Sequence, residues 1–342
     1  MGYIDLHCDA LLHFFTEDKF DLFSSELSSV DFLRLHQAGA MAQCFAIYQP
    51  TSDELSSKGM DEDEYIPYIY QKFTRSLSGK ESMVAQAIST RDIINNHQKG
   101  IVSAILTLED GRSINGKMQK FDEYKNMGIR MITLTWFQKN CFGSPSSDNA
   151  ELMSEGLTSF GIEAIEKMNE IGMIIDASHL SDGGFWDLIH FSKKPFVASH
   201  SNCRNLVPHF RNLSDEMIKA LANKGGVMGL NFCHFFLRDF SQDMNISSNM
   251  INEILFQHKK TNWVSSVEDM VRHVLHAYKI GGEDVLSIGT DFDGIAKENL
   301  EIDSPLQMEK LFTALKKAGL PGTVIEKLMY RNALRVFAET EV

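Results

Sequence analysis

Cysteine is scarce in this chain of 342 residues: Cys8, Cys44, Cys141, Cys203 and Cys233 are the only five, and no two form a Cys-x-x-Cys pair. That spacing excludes a disulfide framework and a structural zinc knot. Apolar runs are short, none approaching the ~18 residues that a membrane span needs, so no membrane is expected as a partner. Met1 leads straight into an ordered-looking segment without the basic and apolar regions of a secretion signal, from which a cytoplasmic protein is expected. Basic runs are missing as well. The 33 Lys and Arg against 46 Asp and Glu leave a net charge of −13 spread along the chain, which argues against nucleic acid or an anionic surface and makes a small molecule the expected partner. No Gly-rich phosphate loop and no G-x-S-x-G elbow occurs, so nucleotide binding of those kinds and serine-hydrolase chemistry drop out. Internal repeats and low-complexity tracts are also lacking.

What is present is ordinary globular composition, 43% hydrophobic and 23% charged, which excludes disorder, collagen and coiled coil. Short apolar, β-branched runs alternate with segments of helical spacing. The runs predict eight strands: Tyr3–Asp9, Ala40–Tyr48, Ile101–Glu109, Ile129–Trp136, Met173–His179, Pro195–Ser201, Gly226–Phe232 and Val285–Asp291. Between two of them, Ala164, Ile165, Met168 and Ile171 share one helical face that stops at Gly172. Ser214 similarly can cap a helix carrying Met217, Ile218 and Leu221 and closed by Gly225. Eight β-then-α units with near-continuous apolar strands predict an α/β protein of the closed TIM-type (β/α)8 barrel class, as one domain over 1–342. Two long connections, near 49–99 and 233–262, are expected to be helical insertions or lids. The acidic cluster Asp61 to Glu64 reads as a helix start or a solvated loop. His273 and His276 have helix spacing and are expected on the solvent side.

Chemistry concentrates where the strands end, and in a parallel barrel active-site groups project from those C-terminal ends. The first strand ends Asp5-Leu6-His7-Cys8-Asp9, which puts His7 and Asp9 on one side and Cys8 on the other. The third delivers Glu109-Asp110-Gly111. The fifth and sixth close with His179 and His200, each after an apolar run. The eighth ends Gly289-Thr290-Asp291-Phe292-Asp293-Gly294, where Asp291 is expected to point into the barrel mouth while Asp293 either joins it or starts the turn. Three carboxylates and three histidines exceed what one tetrahedral zinc needs and suit two ions sharing a carboxylate.

These segments, together with Gly156-Leu157-Thr158-Ser159-Phe160-Gly161, Asp176-Ala177-Ser178-His179, Ser199-His200-Ser201 and Arg211-Asn212, resemble the signatures of the membrane dipeptidase (renal dipeptidase) family of metallopeptidases, in order over nearly the whole chain. The resemblance implies an amidohydrolase-like barrel and a binuclear centre of two Zn2+ per chain that hydrolyses dipeptides. Position by position it implies that His7 and Asp9 bind one ion, His179 and His200 the other, and Glu109 bridges both. Asp291 then matches the acid/base carboxylate, in contact with substrate, and Arg211 the arginine that holds the C-terminal carboxylate of a dipeptide; a homodimer is also implied. Two departures stand out. Trp136 occupies the place of a histidine thought to polarise the scissile carbonyl in kidney-type enzymes, and Cys233 stands where some relatives carry tyrosine. Two other readings remain open on the metal residues alone: a barrel metallohydrolase acting on another amide, a lactone or a phosphoester, and a non-catalytic metal-binding barrel.

Overall fold

Among the described residues the named strands all pair in parallel. In this computed structural model, which describes residues 2–240 and 260–342, the strands are β1 (Ile4–Asp5), β2 (Ala42–Tyr48), β3 (Val84–Gln86), β4 (Val102–Glu109), β5 (Ile129–Thr133), β6 (Ile174–Asp176), β7 (Val197–Ala198), β8 (Val227–Leu230) and β9 (Leu286–Ile288). Their order, β2-β1-β9-β8-β7-β6-β5-β4, is closed by β2 pairing with β4 from Ala42↔Ser103 to Tyr48↔Glu109. Eight strands thus form the barrel, as the sequence pattern requires. The ninth, β3, pairs with the first residues of β4 along the edge that β5 joins only from Leu106 onward.

The regular strands are shorter than the apolar runs that announce them. Pairing of β1 with β9 is limited to Asp5↔Ile288 and resumes at an isolated bridge, Cys8↔Phe292. His7 and Asp9 therefore lie beyond the regular strand, in a segment still held at strand spacing, while Cys8 is buried in the core.

Helices start and stop where local chemistry dictates. The Thr158 hydroxyl accepts the Gly161 N–H at the head of helix Ser159–Ile171, and Gly172 ends it at φ 72°, a left-handed turn that glycine adopts without Cβ strain. Ser214 accepts from the Met217 N–H and opens helix Asp215–Asn223. Asp61 and Glu64 form a reciprocal capping box on helix Glu62–Leu77, so the acidic cluster is a helix start. That helix, helix Ser52–Ser57, β3 and helix Thr90–Gln98 make up the first insertion. Of the second, helix His234–Leu237 is seen, and residues 241–259 lie outside the described residues. Among the described residues no helix is long and apolar enough to cross a membrane.

His273 corrects the sequence reading. It is buried, its Nδ1 accepting the Cys203 N–H at 3.1 Å and its Nε2–H donating to the Leu237 carbonyl at 3.1 Å. On helix Val267–Gly281 the buried positions are Met270, His273, Val274 and Ala277, an i, i+3, i+4, i+7 face that includes the histidine. His276 is half-buried, 2.6 Å from Asp215.

Candidate metal centre

Glu109, the last residue of β4, is the hub at the C-terminal mouth of the barrel. Its Oε1 lies 3.1 Å from His179 Nε2 and 3.5 Å from His200 Nε2, and its Oε2 lies 3.8 Å from His7 Nε2. His7 Nε2 is also 3.3 Å from Asp9 Oδ2 and 3.8 Å from Asp291 Oδ1. His179 and His200 bring their Nε2 atoms within 2.9 Å of each other. All six residues expected at the centre from the strand ends are therefore together, although they come from five strands. Two overlapping sets, His7 with Glu109 and His200, and His7 with Asp9 and Asp291, keep their ligand atoms within 4.8 Å of one another. Geometry alone thus gives Asp291 a ligand's place as well as an acid's.

Buried carboxylates deeper in the barrel hold these groups. Asp176 Oδ1 accepts the N–H groups of Ser178 and Ser199 at 2.9 and 2.8 Å, and its Oδ2 accepts the hydroxyls of Thr133 and Ser199, both at 2.6 Å. Ser199 has one proton and gives it to Asp176, so its oxygen, 2.7 Å from His200 Nδ1, must accept there. Nδ1 of His200 then carries the ring proton and Nε2 presents a lone pair to the centre. On the other side, Asp5 accepts the Thr290 N–H and hydroxyl at 2.9 and 2.7 Å and the His7 N–H at 3.3 Å. Asn231 donates its amide to Asp291 Oδ2 at 2.9 Å, while its own Oδ1 is held by the Cys233 N–H at 2.7 Å. The amide orientation, and with it the aim of Asp291, is fixed.

Backbone strain collects at the same mouth. His179 and Asp291 have φ of 66° and 62°, a left-handed conformation that costs a side-chain-bearing residue on the order of 1 kcal/mol or more and that clusters at functional sites. Gly229 and Gly289 make room for the chain after β7, because a Cβ on either would run into the Ser199 carbonyl oxygen.

The electrostatics call for a cation. Burial pushes the Glu109 carboxyl well above its usual range, with Asp9 adding to the shift. Burial likewise raises Asp291, to about 7, with Asp9 again contributing. For His7 burial opposes charge, yet the surrounding carboxylates of Asp9, Glu109 and Asp291 outweigh it and hold the imidazole at about 10. His179 and His200 are pushed well below the usual histidine value by burial and by their cationic neighbours, Arg211 and His7, so both rings are neutral, as ligands must be. The buried His7 Nε2 faces carboxylate oxygens of Asp9, Glu109 and Asp291. Two neutral imidazoles, and a third whose proton sits where carboxylates draw in positive charge and which a bound cation would displace, form with those carboxylates a donor set that fits a divalent ion such as zinc.

Arg211 and Asp293, the other two residues expected near the mouth, differ in place. Arg211 is buried and lies 5.6 Å over the Phe236 ring; its Nη2 donates to the His200 carbonyl at 3.5 Å, and its Nε makes no hydrogen bond. Asp293 joins neither ligand set. Its carboxylate accepts the Ser28 hydroxyl at 2.8 Å and the N–H groups of Ser29 and Val30 at 2.6 and 3.1 Å, and so ties down the segment after the first strand. A cavity of about 740 Å³ opens over the centre, lined by Asp9, Glu109, His179, Arg211 and Asp291 on its floor and by Tyr48, Trp136, Phe137 and Phe236 among its walls.

A closed parallel barrel with this cluster at its C-terminal mouth defines a barrel metallohydrolase. The sequence carries the assignment one step further: the profile of the membrane dipeptidase family (peptidase family M19) matches residues 1–342, and the chain belongs to that family. It is 31% identical over 256 residues to an uncharacterised protein from the pqqA 5′ region of Klebsiella pneumoniae, an alignment covering 73% of this chain and 86% of the relative. It is 26% identical over 345 residues to an uncharacterised dipeptidase of Schizosaccharomyces pombe, covering 95% and 75% of the two chains. The fold matches, with a TM-score of 0.82 and 22% identity over 99% of each chain, that of a metallopeptidase from Rhodobacter sphaeroides whose crystal structure holds a phosphinate mimic of the dipeptide L-Ala-D-Ala.

Proposed function

We infer that this protein is a metal-dependent dipeptidase that hydrolyses the peptide bond of dipeptides with a free C-terminal carboxylate. Zinc is the proposed metal, two ions per chain, one held by His7 and Asp9, the other by His179 and His200, with Glu109 between them. In support, the two Glu109 oxygens face different histidines, Oε2 towards His7 and Oε1 towards His179 and His200. Ions bound there supply Lewis acidity to the scissile carbonyl and lower the pKa of water to near neutrality.

The chain's own residues do the rest. Asp291, open to the cavity and aimed by Asn231, takes a proton at its carboxylate and delivers it to the departing amine nitrogen. Arg211 receives the substrate carboxylate. The observation that carries this reading is the state of Arg211, a buried guanidinium beside the centre with one long hydrogen bond and an Nε that makes none. Buried charge without partners is costly, and a carboxylate matches the guanidinium fork bidentately. On this reading Arg211 and the metal centre define a short site between them, suited to a substrate whose carboxylate lies one residue beyond the scissile bond, which favours dipeptides over longer chains.

The test is Arg211→Ala on a free dipeptide and on the same dipeptide with an amidated C-terminus, using zinc-loaded protein. A charge-assisted pair of roughly 1.5 to 3 kcal/mol corresponds to about 10- to 150-fold in kcat/KM. That loss is expected for the free acid, while the already poor rate on the amide barely changes. Equal loss on both, or wild type that cleaves the amide as fast as the acid, removes Arg211 from carboxylate recognition and favours a metallohydrolase for another amide, lactone or phosphoester.

A further inference from the structure

The cavity has an apolar wall that the chemistry above does not use. Trp136, in the loop after β5, packs edge-on against Tyr48 with ring centroids 4.8 Å apart and planes at 79°, and against Phe137 at 5.3 Å. Tyr48 ends β2 beside Glu109, its register partner on β4. Leu12 and Leu152 line the same cavity.

Position gives this wall a meaning. Around the barrel the order runs β2, β4, β5, β6, β7, β8, so Tyr48, Glu109, Trp136 and His179 follow one another before Arg211 is reached after β7. The Trp136 ring centre is 6.2 Å from that of His179, and Arg211 donates to the carbonyl of His200, at the next strand end around the barrel. A substrate anchored by its carboxylate at Arg211, with its scissile carbonyl over Glu109 and His179, directs its first residue towards Trp136, Tyr48 and Phe137. The cavity of about 740 Å³ falls among pockets that enclose drug-sized ligands, more space than two small residues fill. Aromatic faces of this kind bind apolar and aromatic side chains and offer little to glycine.

We propose that Trp136, backed by Tyr48 and Phe137, is a specificity-determining residue that selects dipeptides whose first residue carries a large apolar or aromatic side chain. The proposal rests on the dipeptidase reading.

Zinc-loaded protein is assayed on a series with a constant second residue and glycine, alanine, leucine or phenylalanine first, and on a mirror series with the second residue varied. Wild type is expected to favour leucine or phenylalanine over glycine at the first position by on the order of tenfold or more in kcat/KM, the scale of burying one such side chain. Trp136→Ala should cut that ratio by about tenfold, Trp136→Phe should retain most of it, and neither should change the ratios of the mirror series. Binding of Leu-Ala and Gly-Ala to the slow Asp291→Asn variant, with and without Trp136→Ala, read by calorimetry, should show the same ratios without turnover. A first-position ratio that is flat in wild type, unchanged by Trp136→Ala, or matched by an equal change in the mirror series overturns the proposal while leaving dipeptidase activity standing. Absence of hydrolysis on every dipeptide overturns the dipeptidase reading and this proposal with it.

Discussion

Replacing Asp176 by asparagine alters no ligand and almost no volume, yet it should weaken the metal centre. Asp176 accepts four hydrogen bonds, two from backbone N–H groups at Oδ1 and two from the hydroxyls of Thr133 and Ser199 at Oδ2. An asparagine that keeps its oxygen on the N–H groups turns an NH2 towards both hydroxyls. Ser199 then becomes an acceptor from the amide, and its proton swings to His200 Nδ1, 2.7 Å away. The ring can accept it only by moving its own proton to Nε2, the atom that faces Glu109 and His179. Outer-shell changes of this type cost about 10- to 100-fold in metal affinity, or about 1.4 to 2.7 kcal/mol. Ser199→Ala is the companion variant: it leaves Nδ1 without its partner but forces no tautomer, so its loss should be smaller. Competition for zinc against a chromogenic chelator measures both, with thermal unfolding of the metal-free proteins to show that each variant folds. Asp176→Asn within twofold of wild type, or Ser199→Ala weaker than Asp176→Asn, would refute the proton count on which the reasoning stands.

Three further outcomes are expected. His179→Ala and His200→Ala should each retain about one metal ion fewer per chain than wild type by elemental analysis; undiminished content in either removes that residue from the centre. Asp291→Asn should keep its metal but lose roughly 10²- to 10⁴-fold in turnover, the usual contribution of a general acid-base group, and a loss under threefold would pass the role to another residue. Acid should also destabilise the fold through buried histidines. Burial lowers His209 to about 3 and His234 and His273 to about 4, against ~6.5 in an unfolded chain. As pH falls below ~6.5, the unfolded state takes up protons that the folded rings decline, so this stability is present at neutral pH and lost on acidification. His234→Gln should shrink the loss between about pH 7 and about pH 5.5 by roughly 1 kcal/mol in denaturant unfolding; an unchanged pH slope would mean that His234 does not titrate as described.

The centre was more legible in the sequence than the elements that build it. His7, Asp9, Glu109, His179, His200 and Asp291 each end an apolar run, and polar residues in that position mark a barrel mouth. The runs overstate the strands because buried chain past the last ladder bond is as apolar as the strand itself: β1 and β7 keep two residues each. Within 49–99, β3 escapes notice because three residues, Val84–Gln86, carry too little pattern to register. Asp5 and Asp176 sat in plain view inside apolar runs. A carboxylate there is buried only with partners, but which hydroxyls supply them depends on pairings between distant strands. The same holds for Asn231 beside Asp291 and for Asp293, whose partners at 28–30 lie at the other end of the chain. His273 was misplaced because a face defined by its most apolar members left out a histidine whose two ring nitrogens are both satisfied inside.

The seam between β1 and β9 sets the order in which the centre can come into being during synthesis. His7 and Asp9 leave the ribosome well before Asp291, yet the bonds that bring them together, Asp9 N–H to the Phe292 carbonyl at 2.8 Å and Asp5 to Thr290, cross that seam. Contacts of such sequence separation form late, so the nascent chain carries histidines and acids that are not yet a donor set. A metal ion captured at that stage would be held by fewer ligands than the closed ring offers. Metal retention therefore reports on whether the seam is shut, and a substitution at Thr290, which provides none of the ligands, would surface as metal loss in freshly made protein.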